Sequence, residues 1–233
     1  NITKTTESVD KLATEGWKWD KDNLTLTLKN FDYQVPYGKG NGFRIPLGIT
    51  VVVEDTSYLD PCSGELYFST SQGTDTCSVF KGPGTLHMSA TRFNYSTTDY
   101  TIIYSDGIKV EAVEFGNESP HIILDNASVY AREHSILKKG TFTMRNGSYL
   151  EMASSFRVWN DITIERGCKL VCGGYVECYG DLLIEEDAEM IIEQNLVMNS
   201  SSSSYQQDRT ITINGTLHIK PQSYACQAIN FYA

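Results

Sequence analysis

The chain has 233 residues and a formal net charge of −10 at pH 7. An acidic balance of that size repels nucleic acid and anionic membrane surfaces rather than steering toward them. No run approaches the roughly 18 apolar residues that a membrane-spanning helix needs, and no linker or composition shift divides the chain, whose length fits one elongated all-β domain.

Residues 1–22 read as an N-terminal cap. ESVDKLATEGWKWD (7–20) places Trp17 and Trp19 where they would close the first coil of a repeat structure, whose open end would otherwise leave strand edges unpaired. Residues 23–119 read as irregular coils with long loops. Strand-like alternation appears in LTLTL (24–28), FRIPLGITVVV (43–53), GTLHM (84–88) and GIKVEAVEF (107–115), separated by VPYGKGNG (35–42) and TRFNYSTTDY (91–100).

From residue 120 to 199 the pattern becomes regular, with a period of 20 residues. GTFTMRNGSYLEMASSFRVW (140–159), NDITIERGCKLVCGGYVECY (160–179) and GDLLIEEDAEMIIEQNLVMN (180–199) place apolar residues in the same columns, and PHIILDNASVYAREHSILKK (120–139) joins with one local slip. Strand residues at i and i+2 share a face. The first strand therefore points Ile122 and Leu124, Phe142 and Met144, Ile162 and Ile164, and Leu182 and Ile184 to one side. Asn126-Ala127, Asn146-Gly147, Arg166-Gly167 and Glu186-Asp187 form a turn, whose Arg and Glu members fit positive φ less well than the others. The second strand contributes Leu150 and Met152, Leu170 and Cys172, Met190 and Ile192, with Val129 and Ala131 in the slipped first repeat. The third gives Ile136, then Phe156 and Val158, Val176 and Cys178, Leu196 and Met198. No long segment has the i, i+3, i+4, i+7 spacing of a helix. Three short strands per short fixed period describe a β-solenoid, in which each coil buries its apolar face only by stacking on its neighbours. At roughly 4.8 Å per coil, about seven coils make a rod on the order of 35 Å long.

Ser200 to Ser204 open a Ser-rich insertion (200–209) that reads as a solvated bulge. The last coil and C-terminal cap follow over 210–233, beginning with TITINGTLHI (210–219). Eight Asn-x-Ser/Thr triplets, among them Asn126, Asn146 and Asn214, read as turn composition rather than glycosylation sites.

The six cysteines do not read as a disulfide framework. Cys172 and Cys178 occupy inward columns, and Cys168 aligns with Ser128, Ser148 and Ala188 at a small corner position, so these act as buried thiols. A Cys168, Cys172, Cys178 zinc site lacks a fourth ligand. Cys62 and Cys77 bracket a 14-residue loop and are a candidate disulfide, and Cys226 is left over.

The cap Gly16-Trp17-x-Trp19-Asp20, LTLTLKNFD (24–32), Ile45-Pro46-x-Gly48-Ile49-Thr50-Val51 and Gly82-Pro83-Gly84-Thr85-Leu86 together resemble the opening of bacterial secreted or surface-attached β-helix domains of gut Gram-positive type. Glu54-Asp55-Thr56 departs from the Gly-x-Asn turn more usual in that group. The resemblance covers most of the chain and implies a single-stranded right-handed parallel β-helix of the pectin-lyase-like architecture. It also implies an extracellular or cell-surface location in a bacterium, and adhesion or carbohydrate binding. It carries no catalytic set.

Enzymatic β-helices need clustered carboxylates. Asp161 and Asp181, in one column a coil apart, are the candidates, and a second column holds Asp125, Arg145, Glu165 and Glu185. The Asp-Asp, His-Gly and Arg-x-Lys signatures of polygalacturonases are missing, and no cofactor is called for, Ca²⁺ entering only under a lyase reading. A binding surface is better founded. The outward column carries Trp159 above Tyr179, flanked by Arg157 and Glu177, and exposed aromatics with a polar rim suit sugar rings. Val171 and Ile191 form an apolar outward column that suggests a cover or a contact patch. The expected function is a non-catalytic surface module that binds a glycan or a host or cell-surface protein, or serves as a spacer. A polysaccharide lyase or glycoside hydrolase is the alternative.

Overall fold

The computed structural model describes residues 2–35, 44–61, 66–69, 77–93, 100–115, 121–138, 140–199, 209–220 and 229–232, which stack as a parallel β-solenoid. One eleven-stranded sheet runs from the cap strands Val9–Lys11 and Trp17–Asp20 through Thr25–Leu28, Thr50–Val53, Cys77–Lys81, Thr101–Ser105 and His121–Asp125. It continues through Phe142–Arg145, Ile162–Ile164 and Leu182–Ile184 to Ile211–Ile213. A second sheet holds Ser57–Pro61, Thr85–Phe93, Lys109–Glu114, Ser128–Ala131, Tyr149–Met152, Lys169–Cys172, Glu189–Ile192 and Thr216–Ile219 among others. A third sheet stacks Ser135–Leu137, Phe156–Val158, Val176–Cys178, Leu196–Asn199 and Ile229–Tyr232.

In the regular coils the register is the one the columns imply. Phe142 lies opposite Ile162, Ile162 opposite Leu182, Leu150 opposite Leu170, and Val158 opposite Cys178. Phe142, Met144, Leu150, Phe156, Val158, Leu170, Val176 and Ile184 are each 0% exposed. Alternation over three faces therefore encloses one dry core, in which parallel strands bury one face and each coil is sealed by the next.

The coil at 120–139 departs from the sequence reading in a definite way. Its third strand turns Ser135 and Leu137 inward, not Ile136, which pairs with the outward Arg157. Its small buried corner residue is Ala127, whereas Ser128 is exposed. The cause is a turn one residue shorter than its successor. Asn126 alone has positive φ (54°) here, whereas both Asn146 (56°) and Gly147 (72°) do in the next coil. The slip persists as Val129 opposite Leu150 and Leu137 opposite Val158. It is recovered at the following corner, because the step from Leu137 to Phe142 is one residue longer than that from Val158 to Ile162. The inward Ser135 is satisfied, since its Oγ accepts the Phe115 N–H at 2.8 Å.

The turns also explain how Arg166 and Glu186 are tolerated. In the later two regular coils only the second turn residue, Gly167 (73°) or Asp187 (59°), takes positive φ, so the longer side chains occupy ordinary backbone. The turns close through Cys168 N–H to Glu165 O and Ala188 N–H to Glu185 O, both 3.1 Å. This is the pattern of a type II turn, and the Asn146-Gly147 turn has the doubly positive pattern of type I′.

The irregular half has more strands than its alternation suggests. Asp32–Val35, Ser57–Pro61, Leu66–Ser69, Cys77–Lys81 and Thr101–Ser105 all join the ladders, and the run at 43–53 divides into Arg44–Pro46 and Thr50–Val53. The strand beginning at Thr85 extends to Phe93 and bends between two partners, Ser57–Pro61 and then Leu66–Ser69. At the N-terminal end Val9–Lys11 and Trp17–Asp20 pair antiparallel, unlike the ladder they cover. Trp19 is 0% exposed and its Nε1 donates to Thr6 O at 2.9 Å, whereas Trp17 is half-buried against the core. The serine run at 200–204 lies outside the described residues.

Cys168, Cys172 and Cys178 are buried free thiols at three different corners and strands. Burial pushes the Cys172 thiol up to about 11 and the Cys178 thiol up to about 12. The Cys172 S–H points to Ser154 O at 3.1 Å and the Cys178 S–H to Gly180 O at 3.4 Å. Cys77 is an exposed free thiol, while Cys62 and Cys226 lie outside the described residues. Burial raises the Cys77 thiol as well, but the residue is exposed, so iodoacetamide at pH 8 is expected to alkylate Cys77 slowly in the folded protein. The three core thiols should react only after unfolding, as read by peptide mass spectrometry.

Candidate functional site

The outward residues of the third sheet form a grid, because i, i+2 and i+4 share a face. Its two central rows are Ser155, Arg157, Trp159 and, one coil on, Tyr175, Glu177, Tyr179. At one end the Trp159 and Tyr179 rings lie 5.4 Å apart and tilted by 33°, with Trp159 38% exposed. In the middle Glu177 is buried although it faces outward, which would be costly without partners. It has them: Arg157 Nε donates to Glu177 Oε2, and the Tyr179 hydroxyl donates to Glu177 Oε1 at 2.7 Å. Arg157 Nη2 in turn donates to the Tyr175 hydroxyl at 3.2 Å. Burial works against the Arg157 charge, but Glu177 and the flanking tyrosines outweigh it and hold the guanidinium above its ordinary value.

Beside Tyr175 and Arg157, toward the 120–139 coil, lies an open cavity of about 400 Å³ lined by His134, Ile136, Ser154, Ser155, Arg157 and Tyr175. The backbone there is fixed by the Ser155 hydroxyl, which accepts the Tyr175 N–H at 3.3 Å. Trp159, Tyr179, Arg157 and Glu177 are thus brought together on one surface. Tyr175, Ser155 and His134 belong to it as well, and sequence reasoning passed over them. The signal was present, since Tyr175 stands two residues before Glu177 in the same alternation that singled out Tyr179.

Asp161 and Asp181 take up a different task. Asp161 Oδ1 accepts the Asp181 N–H at 2.8 Å, and Asp181 Oδ1 accepts the Thr210 N–H at 2.9 Å. Each carboxylate bonds the backbone of the coil above it at an exposed corner. Gly180 is required there, because a Cβ would overlap Asp161 Oδ1 and the Asn160 backbone. The second acidic column is tied up in similar fashion. Asp125 bonds Arg145 Nη2 at 2.8 Å, Glu185 Oε2 accepts the Arg166 N–H at 3.1 Å, and Glu186 pairs with Arg166. Asn146 and Arg145 together hold the Asp125 carboxyl below its usual range. Among the described residues no group of three or more His, Cys, Asp or Glu side chains is placed to hold a metal ion.

A second outward column lies on the second sheet; sequence reasoning found its Val171–Ile191 end, but not the Tyr58–His87 end, whose strands are irregularly spaced. Tyr58 stacks on His87 with centroids 4.4 Å apart and 8° between planes, and His87 Nδ1 lies 3.2 Å from Glu111 Oε2. Tyr130, Glu151, Val171 and Ile191 continue the column. Val171 and Ile191 are half-exposed, flanked by Glu151 and His218.

No family model, no curated protein and no solved structure matches this chain.

Proposed function

We propose that the protein is a non-catalytic carbohydrate-binding or adhesion module of a bacterial cell surface, of the pectin-lyase-like kind, with the outer face of the third sheet as its ligand site. The observation that carries this reading is the braced pair Trp159–Tyr179. The rings sit at the rim of an open, polar-lined surface, and the Tyr179 hydroxyl is anchored by a buried carboxylate. Such a surface offers apolar ring contact with hydroxyl, guanidinium and carboxylate partners around it, which is what a saccharide with one flat face and a rim of hydroxyls requires. The anchoring also lowers the entropy lost on binding, because the side chains are ordered beforehand. The carboxylate pair Asp161–Asp181 supports an enzyme less well, since each bonds the backbone of its neighbour coil.

A glycan array probed with the wild type and with Trp159→Ala tests the reading. Binding to a defined glycan class is expected, weakened about tenfold or more in the variant, a loss of 1.4 kcal/mol or above. A wild-type protein that binds no glycan on the array overturns it.

A further inference from the structure

The two features of the third-sheet face stand at opposite ends of the same strands. The aromatic pair occupies positions 159 and 179, and the cavity opens beside Ser155 and Tyr175. At about 3.3 Å per strand residue, four residues separate these ends by about 13 Å. Between them the side chains are linked without a break from Tyr175 through Arg157 and Glu177 to Tyr179. Arg157 takes part at both ends, since it lines the cavity and holds the carboxylate that anchors Tyr179. A single pyranose ring resting on Trp159 would leave the cavity and most of this strip uncovered.

We infer that the site takes an extended oligosaccharide, a trisaccharide or longer, laid parallel to the strands and so across the rod rather than along it. One terminal ring rests at Trp159–Tyr179 and the other end enters the His134–Ser155–Tyr175 cavity. This rests on the carbohydrate-binding reading above and adds the length and direction of the ligand. Direction follows from the grid. The two ends share strands 156–158 and 176–178, and beyond Glu177 along the rod axis the outward position becomes the apolar Val197. The Arg157–Glu177 pair then lies under the middle of the ligand, where Glu177 positions the guanidinium.

Calorimetric titration with mono- to hexasaccharide series of β-1,4-linked glucose, β-1,4-linked N-acetylglucosamine and galacturonate decides the matter. For a series that binds, affinity is expected to rise by at least about tenfold from the mono- to the tetrasaccharide and then level off. Trp159→Ala and Tyr175→Ala should each weaken the hexasaccharide by about tenfold or more. Tyr175→Phe keeps the ring, and its matching thermal midpoint controls for folding. A monosaccharide bound as tightly as the hexasaccharide overturns the extended site and leaves carbohydrate binding intact. So does a hexasaccharide whose affinity depends on Trp159 but not on Tyr175. Failure of all three series together with a blank glycan array removes the carbohydrate reading itself.

Discussion

Phe156→Ala is expected to lower the free energy of unfolding by about 3–5 kcal/mol, the range for removing a fully buried aromatic ring. Phe156 points inward from the third sheet and is 0% exposed. Its ring meets that of Phe142, which reaches across the core from the first sheet, edge to face at 5.0 Å and 83°. Truncation therefore removes the burial of one ring and a specific contact between two sheets, and leaves a hole between strands that are hydrogen-bonded on both sides and cannot collapse to fill it. Below Phe156 in its column stands the small Ser135 and above it Val176, so neither neighbour is large enough to swing into the space. Urea titration followed by circular dichroism measures the loss, with Ile213→Ala as control. Ile213 is 43% exposed on the last coil, and its truncation should change stability by no more than about 0.5 kcal/mol. A loss below about 1 kcal/mol for Phe156→Ala would contradict the core described above. Because each coil touches only its neighbours, the variant is also expected to broaden the transition, as the coils on either side uncouple.

The second large effect is alkaline. Below pH 8 the fold should be at full stability with respect to four buried acids, and above pH 9 it should weaken steadily. Burial pushes the Cys172 thiol up to about 11 and the Cys178 thiol up to about 12, and it raises the phenols of Tyr100 and Tyr104 as well. Tyr104 lies among Phe80 at 5.3 Å and Phe115 at 5.4 Å, with no water-facing side. In the unfolded chain thiols release their protons near pH 8.5 and phenols near pH 10. Between those values and the raised ones the folded state binds more protons than the unfolded state, so stability falls as pH rises. At about 1.4 kcal/mol per pKa unit the combined loss by pH 11 is on the order of 10 kcal/mol. Thermal midpoints across pH 7 to 11 read the slope, and a Cys172→Ala, Cys178→Ala double variant should flatten it. A midpoint that stays level to pH 11 would mean that these groups are not buried as described.

How much of this was legible in the sequence depends on the residue. Leu150, Leu170 and Met190 announce their column because the period of 20 residues runs through three coils without insertion. Cys172 and Cys178 could be placed in the core before any coordinates, since they fall where Met152 and Val158 do. Ile136 could not. A turn shortened by one residue at Asn126 shifts the phase of the rest of that coil, and an isoleucine is as plausible inward as the serine that takes the position. The irregular half hid its strands for a related reason. Thr25 pairs with Thr50 and Thr50 with Val79, offsets of unequal length, so no column lines up by eye. At the third sheet the aromatic end of the site was visible, because Trp159 and Tyr179 are large residues at matched positions. The polar end was not, because Ser155 and His134 acquire their meaning only from the cavity they share. Asp161 and Asp181 were seen as a pair, but their use of backbone N–H groups as partners is written in the corner geometry and not in the spacing.

The recovered slip at 120–139 has a bearing on how a molecule of this kind can change length. With Phe142 opposite Ile162 and Ile162 opposite Leu182, loss of residues 160–179 would bring Phe142 onto Leu182, Leu150 onto Met190 and Phe156 onto Leu196, every one of them an inward apolar side chain. A single-residue deletion inside a strand would instead turn the rest of that coil inside out, unless a neighbouring corner returned the residue, as the corner before Phe142 does. Duplication or excision is therefore conservative in whole coils and disruptive in fractions of one. The rod behaves like a ruler marked only in full divisions, which places its point of tolerated variation at the corners.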